Sequence, residues 1–400
     1  MSETVNTGSI LTSDGKGGYS KFFTDTMTDL VKLSDGSTLT KKLEEIDGKL
    51  PITLTSGSLP NTLQTGRMAV KGSDFYCGNG DCSPCQLALA SQIPSAYVHP
   101  STKQCSWTPE MDGYMKKSDL GVETYALSAL PVGAVVNFGR HQVNNEIAWR
   151  IPWRIVAKNH NGYPSNSVTL MANNIIDLRA FDAREPNNSD GNRQSYGNNN
   201  WRYSNLRLWL NSSAGAGSWY SAQHNADHTP DSSCVDSGTQ YSARPGFLHN
   251  FSAAERNLLM STTLKTVNNR AADGGGSYTT ADKIFLPSET EVGLGNEDGI
   301  AEGATFAYFA NNNSRIAIVQ EEAYIASLCS SKPSSLTDNW YYWLRTPRVS
   351  YSGDVRLVTG DGSLSDNVAC SGDYGVRPCL NLPASTVVTK FRDWYDINAG

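Results

Sequence analysis

Four of the eight cysteines fall in one short stretch, as Cys77, Cys82, Cys85 and Cys105. Cys82-Ser83-Pro84-Cys85 has the two-residue spacing that lets both thiolates reach one metal from a tight turn. Cys77 and Cys105 would complete a tetrahedral structural zinc site, with His99 as an alternative fourth ligand. One or two disulfides, or thiols that never pair, are the competing readings. Each of these would staple a small module rather than build a catalytic centre. His224 and His228 stand four residues apart with Asp227, Asp231 and Asp236 nearby, a spacing that binds metal on a helix. Thr229-Pro230-Asp231 argues for a loop there, so a solvated polar segment is expected. No catalytic residue is assigned and no cofactor is required beyond the candidate zinc.

The most unusual composition lies between Thr346 and Pro378, where Lys, Glu, Gln, Met and Trp are all missing. Ser, Gly, Asp, Tyr, Asn, Val, Thr and Arg fill the interval instead. Changing the first two bases of an asparagine codon produces every one of these types and none of the five that are missing. A Gly/Ser/Asp-rich surface loop that simply lacks long side chains is the plainer alternative. Ser, Gly, Asn, Asp and Tyr are also the types favoured in antibody paratopes, where Tyr supplies rigid contact area and small polar residues adapt their hydrogen bonds. The expected ligand-contacting positions are Arg348, Val349, Ser350, Tyr351, Ser352, Asp354, Leu357, Thr359, Ser365, Asp366, Asn367, Cys370, Ser371, Asp373 and Tyr374. Tyr351 and Tyr374 are the expected anchors.

The elements that must hold such a face flank and thread it. Trp343, Leu344, Val376 and Leu380 read as core, and short strands around 355–358 and 364–369 would place alternate side chains on one exposed face. Val355, Val358, Leu364, Val368 and Ala369 are the expected inward partners. Arg345 and Arg377 bracket the interval and are expected to pair with buried carboxylates or carbonyls. Asn173-Asn174, Asn198-Asn199-Asn200 and Asn311-Asn312-Asn313 read as turns. Far upstream, Leu39, Leu43, Ile46 and Leu50 recur at spacings of four, three and four, a short heptad seam flanked by Lys41, Lys42, Glu44 and Glu45. Ser37 or Thr38 would cap this helix and Pro51 would end it. An ordinary amphipathic helix fits the same spacing.

Trp343-Leu344-Arg345-Thr346-Pro347, followed by Gly375-Val376-Arg377-Pro378-Cys379-Leu380-Asn381-Leu382, resembles the signature of the C-type-lectin-fold variable proteins of diversity-generating retroelements. The resemblance extends upstream through Ile147-Ala148-Trp149-Arg150, Leu206 to Asn211, Phe251 to Glu255 and Asp282 to Ser288, and covers roughly residues 133 to 384. It implies an α+β, C-type-lectin-like head, akin to formylglycine-generating enzymes, whose interval 346–378 is rewritten to change the ligand. Five motifs in fixed order speak for the fold and much less for the ligand. Leu33 to Leu43, and the segments 97–105 and 113–120, are similar to phage tail-fibre and baseplate sequences. Glu185-Pro186-Asn187 matches the sugar-binding triplet of calcium-dependent lectins, but the accompanying Trp-Asn-Asp is absent and a coincidence is expected. Cys370 and Cys379 are similar to the cysteine pair of formylglycine-generating oxidases, the competing enzymatic reading. Cys370 lies inside the odd interval, however, and no base is set near either thiol.

The expected organisation is therefore an attachment segment and short coiled-coil stalk (1–52), a small cysteine-containing β-rich module (53–132), the lectin-like head (133–384) and a C-terminal tail (385–400). The expected function is that of a phage tail receptor-binding protein: not an enzyme, a homotrimer, bound to tail or baseplate proteins through its N-terminus and to a host cell-surface protein or glycan through its head. A bacterial surface adhesin is a further alternative. A net charge of −6 with no Lys/Arg block longer than Lys116-Lys117 argues against nucleic acid as the main partner. The longest apolar runs, such as Ile316 to Val319, are too short to span a bilayer. Met1 to Gly18 lacks the basic and apolar regions of a signal peptide. A virion protein assembled in the host cytoplasm fits that expectation.

Overall fold

A computed structural model describes residues 123–397, apart from 144–147, 238–239, 328 and 392–393, together with the backbone of six short strands between residues 52 and 116. The chain divides into two compact units, Met1–Val122 and Glu123–Gly400. Strands are numbered in chain order. In the first unit β1 (Ile52–Thr55), β2 (Met68–Lys71), β3 (Asp74–Cys77) and β4 (Cys85–Leu87) form one sheet in that order. β5 (Tyr97–Val98) and β6 (Met115–Lys116) form a separate antiparallel pair. The register of β3 and β4 sets Cys77 opposite Cys85. Cys82, Cys105 and His99 lie outside the described residues, as do Leu39, Leu43, Ile46 and Leu50 of the expected stalk.

The second unit is mixed α+β, mostly sheet with few helices. Its larger sheet has eight strands in the order β14-β19-β10-β9-β8-β21-β20-β7. These are β7 (Glu123–Ala126), β8 (Val135–His141), β9 (Trp149–Lys158), β10 (Ser167–Ala172), β14 (Ile284–Phe285), β19 (Cys379–Pro383), β20 (Val387–Phe391) and β21 (Trp394–Ile397). A smaller sheet runs β11-β18-β15-β16-β17, from β11 (Asp177–Leu178), β15 (Tyr342–Pro347), β16 (Asp354–Val358), β17 (Leu364–Val368) and β18 (Gly375–Val376). β12 (Thr262–Val267) and β13 (Ser277–Asp282) make a hairpin. The helices are short: α1 (Gly191–Tyr196), α2 (Asn205–Leu210), α3 (Ala253–Leu258), α4 (Asn312–Arg315) and α5 (Glu321–Ala326). Among the described residues no helix is long and apolar enough to cross a membrane.

This unit corrects the expected boundaries at both ends. β7, ten residues before the expected start, pairs antiparallel with β20, and β21 pairs in parallel with β8, so the supposed tail supplies two strands of the large sheet. Val388 and Ile397 are buried there. A tail with alternating apolar residues gains most by completing a sheet whose neighbouring strands would otherwise show unpaired backbone.

The ordered sequence motifs prove to be mutual fastenings. β9 alternates between core and surface, burying Trp149, Ile151, Trp153 and Ile155 as a period of two demands. Arg150, on its other face, meets Glu255 at 2.8 Å, and Glu255 closes a capping box with Ser252 at the start of α3. Gly139, in the left-handed region at φ +64°, lets the Phe251 ring approach so closely that a Cβ would lie 2.2 Å from it. Asn211, at the end of α2, accepts from the backbone N–H groups of Lys283 and Ile284 and donates to Ile284 O. Arg207 pairs with Asp282 at 2.8 Å. These motifs thus satisfy polar groups of one another, a structural role that needs no ligand.

Candidate ligand-binding face

β15, β16 and β17 form an antiparallel meander through the compositionally odd interval, with Trp343 opposite Leu357 and Leu357 opposite Ser365. Both faces of the first two strands are covered: Tyr342, Trp343, Val355 and Val358 are fully buried and Leu357 is 1 % exposed. Burial ends at the outermost strand, where every residue of β17 is half-exposed. The exposed surface is therefore the β17 edge and the turns at 348–352 and 371–374, not a whole sheet face.

This corrects five of the fifteen expected contacts. Leu357 packs into the core, because β16 is an interior strand covered on both sides. Cys370 is fully buried, its N–H donating to Tyr196 O and its thiol meeting Asp236. Val349 is buried, with its N–H on Glu297. Ser352 donates to Asp190, the residue that caps α1. Asp354 is buried against Arg348 at 3.0 Å. Arg348, Ser350, Tyr351, Thr359, Ser365, Asp366, Asn367, Ser371, Asp373 and Tyr374 stay wholly or partly accessible. Of the expected inward partners, Val355, Val358 and Ala369 are buried while Leu364 and Val368 are half-buried.

Charge on the face is mostly consumed internally. Arg356 and Asp366 are cross-strand partners joined at 2.6 Å, Arg356 also binds Glu297, and Arg348 reaches Asp366 at 3.1 Å. The neighbouring Asp366 holds the Arg348 guanidinium above its usual range. Tyr374 packs on Trp343 at 4.7 Å between ring centroids and meets Asn367, so it is half frame and half surface. Tyr351 instead faces Tyr196, at 6.3 Å, and Tyr196 is 39 % exposed. Tyr196 was illegible in the sequence, since it lies on α1 far upstream of the interval.

The segment that carries Tyr196 is stitched beneath the interval. Asn198, Asn199 and Asn200, expected as simple turn residues, are all buried. Asn199 Nδ2 donates to the carbonyls of Arg348, Tyr351 and Asp354, at 3.2, 2.8 and 2.9 Å. Asn199→Ala is expected to cost about 1 kcal/mol, because the donor shared by three carbonyls is lost while each keeps one backbone donor, from Tyr351, Asp354 and Arg348 respectively. Chemical denaturation measures that loss, and protection of the 348–354 amides from hydrogen exchange should fall with it.

Arg345 and Arg377 behave as expected for frame residues. Arg345 is fully buried and forks onto Glu291 at 2.5 and 2.9 Å. Arg377 donates to the carbonyls of Ala172, Asn173 and Arg315.

A family model for a domain of unknown function, DUF6273, matches residues 165–384, more than half of the chain. The chain belongs to the DUF6273 family. No curated protein and no solved structure matches it. The DUF6273 span runs from just before β10 to just past β19, so it holds the whole five-stranded sheet and the interval. It leaves out β7, β8, β9, β20 and β21, which complete the same eight-stranded sheet.

Within the DUF6273 region the Cys370 and Cys379 thiols are poorly suited to nucleophilic work. Burial pushes the Cys370 thiol up to about 12 and raises that of Cys379 as well, whereas reactive cysteines are held as thiolates. Two carboxyls there are pushed up to about 7: Glu289, by burial and then by the charge of Glu297, and Glu302, by burial opposed by Arg345. Their folded values exceed the usual 4.5, so the native state holds more protons between these limits than the unfolded chain. Stability from these groups is complete below about pH 4.5 and is lost as pH rises through about 7. The melting temperature should fall across that window, and Glu289→Gln should flatten the fall. A melting temperature that rises with pH there would contradict the assignment.

Proposed function

We propose that this protein is a receptor-binding protein of a phage tail, and that its head has a C-type-lectin fold. The β17 edge with its flanking turns engages a host cell-surface protein or glycan. A retroelement rewrites the interval 346–378 to change the partner. The observation that carries this reading is the abrupt change in burial across one small sheet. Trp343, Arg345 and Val376 are sealed in the core, while Ser365 and Asn367 of the same sheet, and Ser371 in the turn after it, are half-exposed within the same stretch of sequence. Replacement at the accessible positions other than Tyr374 spares the core packing, as a surface built for variation requires. Three copies joined by the Leu39, Leu43, Ile46 and Leu50 seam would raise the effective concentration at a repetitive cell surface. Structural zinc in the four-cysteine module belongs to the same proposal and calls for about one ion per chain.

The test replaces Ser365, Asn367 and Ser371 together by Tyr, a type reachable from the same codons. Melting should stay within about 0.5 kcal/mol per site of the parent, and adsorption to host cells should change. Unchanged adsorption by a folded triple variant would sink the proposal.

A further inference from the structure

Two features set aside in the sequence, the Glu185-Pro186-Asn187 triplet and the His224 to His228 loop, converge in space. We propose that Glu185, His224 and Asp227 form a binding site for a divalent transition metal of the zinc class. One ligand atom from each lies within 4.8 Å of the other two. Nε2 of His224 sits 2.8 Å from Oε1 of Glu185, yet it is shielded from solvent and makes no hydrogen bond of acceptable direction.

The charge balance favours the same occupant. Glu185 and the neighbouring Asp182 are each 1 % exposed, and Asp227 is half-buried. Buried carboxylates need compensation, which Glu185 draws from His224 beside it and from the charge of Arg193. Burial raises the carboxyls of Asp182, Glu185 and Asp227, and their mutual charge raises Asp182 further. Asp182 is engaged elsewhere, its oxygens accepting the N–H groups of Asn198 and Asn205.

One imidazole nitrogen with two carboxylates is a donor set that suits zinc and its neighbours better than calcium, which takes oxygen ligands throughout. Tetrahedral ligands about 2.1 Å from zinc stand roughly 3.4 Å apart, so the His224–Glu185 pair at 2.8 Å must open to admit the ion, while any separation nearer 4.8 Å must close. Binding at Nε2 places the imidazole proton on Nδ1 and breaks the long 3.3 Å contact from Ala226 N–H. Both oxygens of each carboxylate already have outer partners, Glu185 through Asn188 and Asn198 and Asp227 through Gln223 N–H and Asn205, as ligands in metal sites are held. The ion would clamp the 223–236 loop to the segment that carries α1 and Tyr196. The proposal stands apart from the receptor-binding reading.

The full chain, with Cys82→Ser and Cys85→Ser removing the cysteine-module candidate and with His228→Ala as the control for the neighbouring His228, Asp231 and Cys234 group, is stripped by chelation and titrated with Zn2+ by calorimetry and thermal melting. One zinc per chain is expected, together with a higher melting temperature. His224→Ala and Asp227→Asn should each weaken zinc on the order of 100-fold or more, and His228→Ala should leave it unchanged. Asp227→Asn keeps the shape of a half-exposed side chain, so it carries the test if His224→Ala fails to fold. An unaltered zinc isotherm in the Asp227 variant overturns the proposal. So does loss of zinc in His228→Ala alone, or tighter binding of Ca2+ than of Zn2+.

Discussion

Arg345→Met should destabilise the second unit by about 3–5 kcal/mol, the loss that follows when one member of a buried ion pair is removed. Arg345 and Glu291 are both sealed from water, and the guanidinium also donates to the carbonyls of Leu286 and Glu302. Truncation leaves the Glu291 carboxylate with Tyr163 OH and the Ser288 N–H as neutral donors, without a countercharge. It also frees two buried carbonyls. Arg345→Lys should recover little, since an ammonium cannot reproduce the two-pronged geometry. Arg345→Met combined with Glu291→Leu should be less damaging than Arg345→Met alone, because the Glu291 charge no longer stands unpaired. Urea unfolding of the three variants measures each term. A cost below about 1 kcal/mol for Arg345→Met would show that the pair behaves like a surface bridge and does not organise the frame.

Joint truncation of Tyr196 and Tyr351 to Ala is expected to weaken attachment to host cells by on the order of 2 kcal/mol or more, roughly 30-fold. The two rings approach at 6.3 Å on the exposed side of the 348–352 turn, where an aromatic pair offers large contact area with few rotors to order. Stability should change much less, since Tyr196 is already 39 % exposed. Tyr374→Ala is the contrasting variant: its ring packs on Trp343, so its loss should lower the melting temperature as well as binding. Full adsorption by a folded Tyr196/Tyr351 double variant would move the binding surface away from this turn, and the receptor reading would lose its anchor.

Much of the local plan was legible in the sequence. Alternation marked the two strands of the interval, which form as Asp354–Val358 and Leu364–Val368. Arg345 and Arg377, flanked by apolar residues, announced charges that had to be paired inside the frame. Spacing can reveal such features because strand geometry and the cost of an unpaired buried charge act within a few residues.

Only the tertiary structure decided which of those side chains meet water. Leu357 and Ser365 are direct cross-strand neighbours with the same local pattern, yet one is buried and the other half-exposed, because only the inner strand is covered by Trp343 and its surroundings. Tyr196 joins Tyr351, and Glu185 joins His224, across separations of 155 and 39 residues read from the chain. The sequence determined which residues can pack, pair or turn. Which of them come together was set by long-range closure of the sheets, through contacts that no local window of the chain contains.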